Sequence, residues 1–149
     1  MTQFARESVA TVLAEIGPLL QEHWQEIAQY PDIPLSPDLE QYHFAEACGQ
    51  LRIFTARLKG ELIGYAIYLI APALHYSKSL QAKQDVLYLK PEHRKSFTGM
   101  RLITFADESL RKDRVQVVFH HVKAAHNFGP LLERMGYELS ELIYSRRLD

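Results

Sequence analysis

A single cysteine, Cys48, and a single tryptophan, Trp24, stand in 149 residues. One thiol excludes a disulfide framework and any CxxC metal or redox motif. Charge of one sign is also missing: 17 Lys and Arg face 18 Asp and Glu, for a formal net charge of -1. That balance lacks the electrostatic footprint of a general nucleic-acid binder. The longest apolar stretch, Leu62 to Leu74, is too short to span a bilayer. The opening MTQFARESVATVLAEI lacks the basic-then-apolar order of a secretory signal. Neither a membrane nor a nucleic-acid partner is therefore expected, and the expected location is cytoplasmic. Repeats, low-complexity tracts and linkers are absent as well. What is present is 47% hydrophobic and 23% charged, the balance of one globular domain over residues 1–149. Such a chain buries roughly two thirds of its unfolded surface without staples.

Apolar residues recur with helical spacing at Val9, Val12, Leu13, Ile16, Leu19, Leu20, Trp24 and Ile27. Gly17-Pro18 interrupts that pattern, which predicts a kink or two abutting helices. The next stretch, YPDIPLSPDL, reads as an ordered loop. It leads into a second helix capped by Ser36, with Pro37 in its first turn, running to Cys48 and stopped by Gly49. The texture then turns to strands. LRIFTARL and ELIGYAIYLIA flank Lys59-Gly60, a tight-hairpin signature. A loop with His75 and Tyr76 precedes a third strand, AKQDVLYL, which stops at Pro91. A helix over Thr98–Lys112, the strand VQVVFHHV, a short helix over Phe128–Met135 ended by Gly136, and a last strand near Leu148 complete the order. This order predicts an α+β fold with a mixed sheet.

The most informative segment is DVLYLKPEHRKSFTGMRLI, in which a strand ends, a basic loop follows and a helix begins. Orphan amides at such a helix start, with Arg94 and Lys95 beside them, suit a pyrophosphate. The same segment also reads as a solvated loop in which Pro91 merely ends the strand. LYLKPEHRKSFTGMRLI resembles motif A of the GNAT family of N-acetyltransferases, Arg/Gln-x-x-Gly-x-Gly/Ala. Arg94 stands at the Arg/Gln position, Gly99 at the second small position and Phe97 in place of the first glycine. PLLERMGY resembles the family's late helix, ALYEKLGF, and the element order matches from about residue 9 to residue 145. The small members encoded by bacteriophages are the most similar in character.

The resemblance implies a central, mostly antiparallel twisted sheet with flanking helices, and acetyl-CoA as acyl donor. It implies a β-bulge around Leu87, Tyr88 and Leu89 whose splayed backbone accepts the pantetheine arm as if it were another strand. Amides from Lys95 through Ser96, Phe97, Thr98 and Gly99 to Met100 would hold the pyrophosphate, with Arg94 adding charge and Asn127 a candidate contact. An amine of a small molecule or protein then attacks the thioester directly, positioned by the fold. Asp85 falls where the family carries a base; its plainer role is a strand-end carboxylate bonded to the preceding loop. The late-helix tyrosine position falls on Leu132, which has no proton to give, and the family's asparagine position falls on Ala125. Tyr144 or Tyr76 is then the candidate acid, each with the plainer role of a half-buried aromatic. Tyr30, Tyr42, His75 and Tyr76 are expected to line the acceptor's pocket. His120, His121 and His126 do not converge as metal ligands, and no metal is expected. Two other readings share the fold. One is a cofactor-binding or protein-binding module that has lost turnover, favoured by Leu132 and Phe97. The other is transfer of a different acyl or aminoacyl group. The short chain end after Tyr137 leaves room for one closing strand, which predicts an exposed sheet edge and a homodimer through it.

Overall fold

The computed structural model describes residues 1–149. The chain runs β1 (Thr2–Glu7), α1 (Val9–Ile27), α2 (Leu39–Ala47), β2 (Leu51–Leu58), β3 (Glu61–Ala73), β4 (Tyr76–Leu89), α3 (Thr98–Lys112), β5 (Val117–His120) and α4 (Gly129–Arg134). Five strands form one sheet in the order β1-β2-β3-β4-β5. All neighbours are antiparallel except β4 and β5, which are parallel. The fold class is the expected α+β, with an open, mostly antiparallel sheet and flanking helices. No helix is long and apolar enough to cross a membrane.

Alternation along the strands sorts the apolar residues onto two faces. Ile53, Tyr65, Ile67, Val86 and Tyr88 pack under Val9, Val12, Ile16 and Leu19 of α1. Phe54, Ala66, Tyr68, Ile70 and Ala82 pack under Leu102, Ala106 and Leu110 of α3 on the other side. The hairpin at Lys59-Gly60 forms as the dipeptide signals, with both residues in the left-handed region at φ 50° and 84°. Gly64 lets β3 approach β4 closely, since a Cβ there would lie 2.9 Å from the Tyr88 carbonyl oxygen.

Several expectations fail for local reasons. α1 is one helix, not two: Pro18 forgoes one backbone bond, but Ile16 and Leu19 on either side are both anchored in the core. α2 is capped by Asp38, whose Oδ1 accepts from the Gln41 amide at 3.1 Å, and not by Ser36. β1 is an unforeseen strand. Its TQFARE carries one large apolar residue, and it pairs with β2 alone, so hydropathy gave no signal. β4 begins at Tyr76, well before the expected start, because its first residues extend the hairpin as a polar, exposed ribbon. The closing strand does not form, and residues 138–149 have no regular structure. Their side chains instead hold the loop after α1: Ser145 meets the Tyr30 hydroxyl at 2.9 Å and Arg147 pairs with Asp32 at 2.8 Å.

β5 is joined to α4 and its flank through His120. Its ring packs edge-on against Tyr68, Phe128 and Tyr137, with centroids at 5.7, 6.4 and 5.0 Å. Burial pushes its pKa down to about 4, with the neighbouring His121 acting in the same direction. Protonation is thus disfavoured in the folded state. As pH falls from about 6.5, the unfolded chain takes up a proton that the folded one refuses until about 4. Stability should therefore decline across that window, and His120→Phe should flatten the decline in melting temperature between those limits. An unchanged pH slope in the variant would show that other groups set acid stability.

Candidate active site

The site originates in one irregularity. Ile67 pairs with Val86 but Tyr68 pairs with Gln84, so Asp85 has no partner and is the extra residue of a β-bulge. The bulge lies at Asp85, not at Leu87–Leu89 as expected. It reverses the parity of β4: Leu80 and Ala82 face α3, whereas Val86 and Tyr88 face α1. β5 pairs with β4 only from Gln81 to Gln84. Beyond Gln84 the parallel strands part, and the edge of Asp85–Leu89 opposite β3 has no strand beside it.

A cleft of about 420 Å³ fills this gap. His23, Glu26 and Ile27 of α1 form one wall, Gln84, Asp85, Leu87, Tyr88 and Leu89 the floor, and His121, Lys123, His126 and Phe128 the other side. Arg94 closes the end at which β4 runs into α3. Here the backbone amides of Lys95, Ser96, Phe97, Gly99 and Met100 have no protein acceptor. Thr98 is the exception, donating to Ser96 Oγ at 3.3 Å. Such a run of free amides at the start of a 15-residue helix has the chemistry to cradle an anion. Phe97 turns outward, 75% exposed, and so leaves the cradle uncovered. A Cβ on Gly99 would meet nothing closer than Leu89 Cδ2 at 3.8 Å, so packing inside the protein does not demand glycine there.

Arg94 ties the cradle to α1. Its Nε donates to the Leu89 carbonyl at 2.7 Å, its Nη2 donates to both Glu26 oxygens at 2.9 Å, and its guanidinium lies 5.5 Å from the Tyr88 ring centre. Tyr88 in turn donates to Glu22 at 2.8 Å, and burial raises its phenol pKa. Burial pushes the His23 pKa down, against the pull of Glu26 and helped by Arg94, Lys123 and His126. Asp85 keeps open surface, but the protein around its carboxyl raises its pKa by desolvation, with His121 opposing. Tyr42 of α2 feels the Asp85 charge, which together with burial raises the phenol's pKa.

The structure thus brings Asp85, Leu87, Tyr88, Leu89 and Arg94 into one cleft, with Lys95 to Met100 following at its end and Tyr42 within electrostatic reach. The other expected residues lie elsewhere. Tyr144 is 88% exposed on the tail, and His75 and Tyr76 sit at the exposed tip of the β3–β4 hairpin. Tyr30 is engaged with Ser145 and Arg147 outside the cleft. The Asn127 side chain is taken, accepting from the Gly129 amide at 2.8 Å. The α1 wall was missed from sequence. Glu22, His23 and Glu26 fall between the buried positions of α1, which reads as an ordinary solvated face.

No protein-family model matches the chain, and no curated protein matches it. Solved structures do. A ribosomal-protein-alanine N-acetyltransferase from Brucella melitensis superposes with TM-score 0.75 at 17% identity, covering 100% of both chains. An aminoglycoside acetyltransferase from an uncultured soil metagenomic sample, in complex with sisomicin, gives 0.75 at 16% identity, covering 99% of this chain and 97% of that one. A predicted acetyltransferase with acetyl-CoA from Clostridium acetobutylicum gives 0.74 at 10% identity, with the same coverage. At these identities the likeness establishes a shared fold, the GNAT-like fold of these acetyltransferases.

The Arg94–Glu26 pair competes with any anion in the cradle. Glu26→Gln should release the guanidinium and tighten binding of inorganic pyrophosphate by up to about fivefold, the scale of a partly exposed ion pair. Arg94→Ala should weaken it by about tenfold or more. Calorimetric titration decides; equal affinities in all three proteins would place Arg94 outside the anion site.

Proposed function

We propose that this protein is an acetyl-CoA-dependent N-acetyltransferase that moves an acetyl group to an amine of a small molecule or protein. The observation that carries this reading is the unpaired Asp85–Leu89 edge leading to free amides at the start of α3. That layout suits an extended amide-bearing arm ending in a pyrophosphate. The residues present fit such a donor: the backbone of Asp85–Leu89 would pair with its pantetheine arm, and the Lys95–Met100 amides with Arg94 would hold its phosphates. When bound, the donor supplies an activated acetyl thioester. Since the phosphates mark the Leu89 end of the cleft, the thioester belongs at the opposite end, beside Gln84 and Asp85.

Asp85 is the base in this reading. Its raised pKa makes it a better proton acceptor than an ordinary carboxylate. As the amine nitrogen bonds to the acetyl carbon, Asp85 takes the amine proton and the C–S bond breaks. Tyr144 and Tyr76 lie outside the cleft, so His121 and His126 are its own proton carriers for the departing sulfur. A thiol with a pKa near 8.5 also leaves readily without an acid. Leu132, at the position of the family's acidic tyrosine, is 6% exposed and belongs to the core. That burial favours a second reading, a cofactor-binding module without turnover, and release of free thiol from acetyl-CoA in the presence of an amine panel separates the two.

Acetyl-CoA should raise the melting temperature. At a concentration 100 times Kd the stabilisation is about 2.7 kcal/mol, or roughly 5–10 °C for a domain of this size. No shift at millimolar acetyl-CoA would overturn the assignment. With a verified acceptor, Asp85→Asn should lower turnover by about 10²–10⁴ and leave acetyl-CoA affinity unchanged. The wild-type rate should rise with pH as Asp85 ionises, at a midpoint above the ordinary carboxylate value, and that limb should vanish in the variant. A variant with wild-type turnover would remove Asp85 from the proton transfer.

A further inference from the structure

Gln84 is an anomaly that neither packing nor the reading above explains. It is 4% exposed, yet its Oε1 is sealed from solvent without a hydrogen-bond partner, and its amide nitrogen donates to no protein atom. An orphaned buried amide costs stability, and Gln84 lines the cleft at the point where β4 and β5 part. Its partner in register across the parallel pair is His120, whose Nδ1 is also buried and unpartnered. The Tyr68 hydroxyl lies 3.5 Å from His120 Nε2. With the phenol donating there, Nδ1 carries the ring's hydrogen. No hydrogen bond joins the two orphans, so the Gln84 amide has no partner within the protein.

From this, resting on the acetyltransferase reading, we infer that Gln84 is a catalytic residue whose amide N–H binds the thioester carbonyl oxygen. Parity supports the assignment. Gln84 pairs with Tyr68 on the α3 face, whereas Asp85, next in the chain, lies within reach of Tyr42 on the α1 face. The bulge thus sets a base on one side of the gap and a hydrogen-bond donor on the other. An amine approaching from the Asp85 side drives the carbonyl oxygen toward Gln84 as charge develops on it, where a fixed donor is most effective.

The test compares acetyl-CoA with CoA, which share every contact except those to the acetyl group. In the wild type acetyl-CoA should bind about 3- to 10-fold tighter than CoA, the size of one hydrogen bond to an uncharged acceptor. Gln84→Leu and Gln84→Glu, neither of which can donate at neutral pH, should bring the two affinities together with CoA affinity unchanged. The infrared carbonyl stretch of bound acetyl-CoA should move back toward its frequency in water-free solvent. Gln84→Leu should also melt no lower than the wild type, because it removes an unsatisfied buried group. An affinity ratio and carbonyl frequency that both variants leave unchanged would overturn the inference. A wild type that binds neither CoA nor acetyl-CoA would instead overturn the acetyltransferase reading on which it rests.

Discussion

One unpaired residue governs the chemistry this fold can perform. With Asp85 inserted between the pairs Ile67–Val86 and Tyr68–Gln84, the second half of β4 turns its residues over, and its partnership with β5 ends one residue earlier. A regular strand would have kept pairing and left no gap. The bulge costs one rung of the β3–β4 ladder, which is otherwise paired from Leu80 to Leu89. The close approach at Gly64 brings β3 against the Tyr88–Leu89 end of the same strand.

Around that gap the polar side chains are assigned in an orderly way. Those of Glu22, Glu26 and Arg94 satisfy one another or Tyr88, and they bind α1 to the loop preceding α3. Among the groups left without partners are the backbone amides of Lys95, Ser96, Phe97, Gly99 and Met100 at one end of the cleft and the Gln84 amide at the other. In a folded protein nearly every buried polar group is satisfied. By that measure the sealed Gln84 oxygen is the exception, whereas the amides before α3 lie on exposed or half-buried residues.

The strong periodicities were legible. α1, α3 and the Lys59-Gly60 hairpin all follow from apolar spacing or turn chemistry, which are local in the chain. Elements whose signal is not apolar were not legible. β1 and the first half of β4 are polar ribbons held by their neighbours, and the tail fails to become a strand although its Leu142, Tyr144 and Leu148 alternate like one. The bulge was foreseen in kind but misplaced, because the sequence DVLYL fits either position and only the pairing with β3 decides. Asp85 and Arg94, both singled out from the sequence, line the cleft. The α1 wall was hidden because a cleft-facing glutamate and a solvent-facing one have the same pattern.

The tail's attachment bears on how the cleft is held together. Tyr137 donates to Asp107 of α3 on one face of the sheet, and ten residues later Arg147 grips Asp32, just beyond α1 on the other face. The chain end therefore passes around the β5 side as a belt whose buckle joins residues 115 positions apart. Closing so long a loop costs more chain entropy than the nearly local hairpin pairing of β2, β3 and β4 that builds the floor of the cleft. The loop that continues its α1 wall is thus held by residues far along the sequence, Ser145 and Arg147.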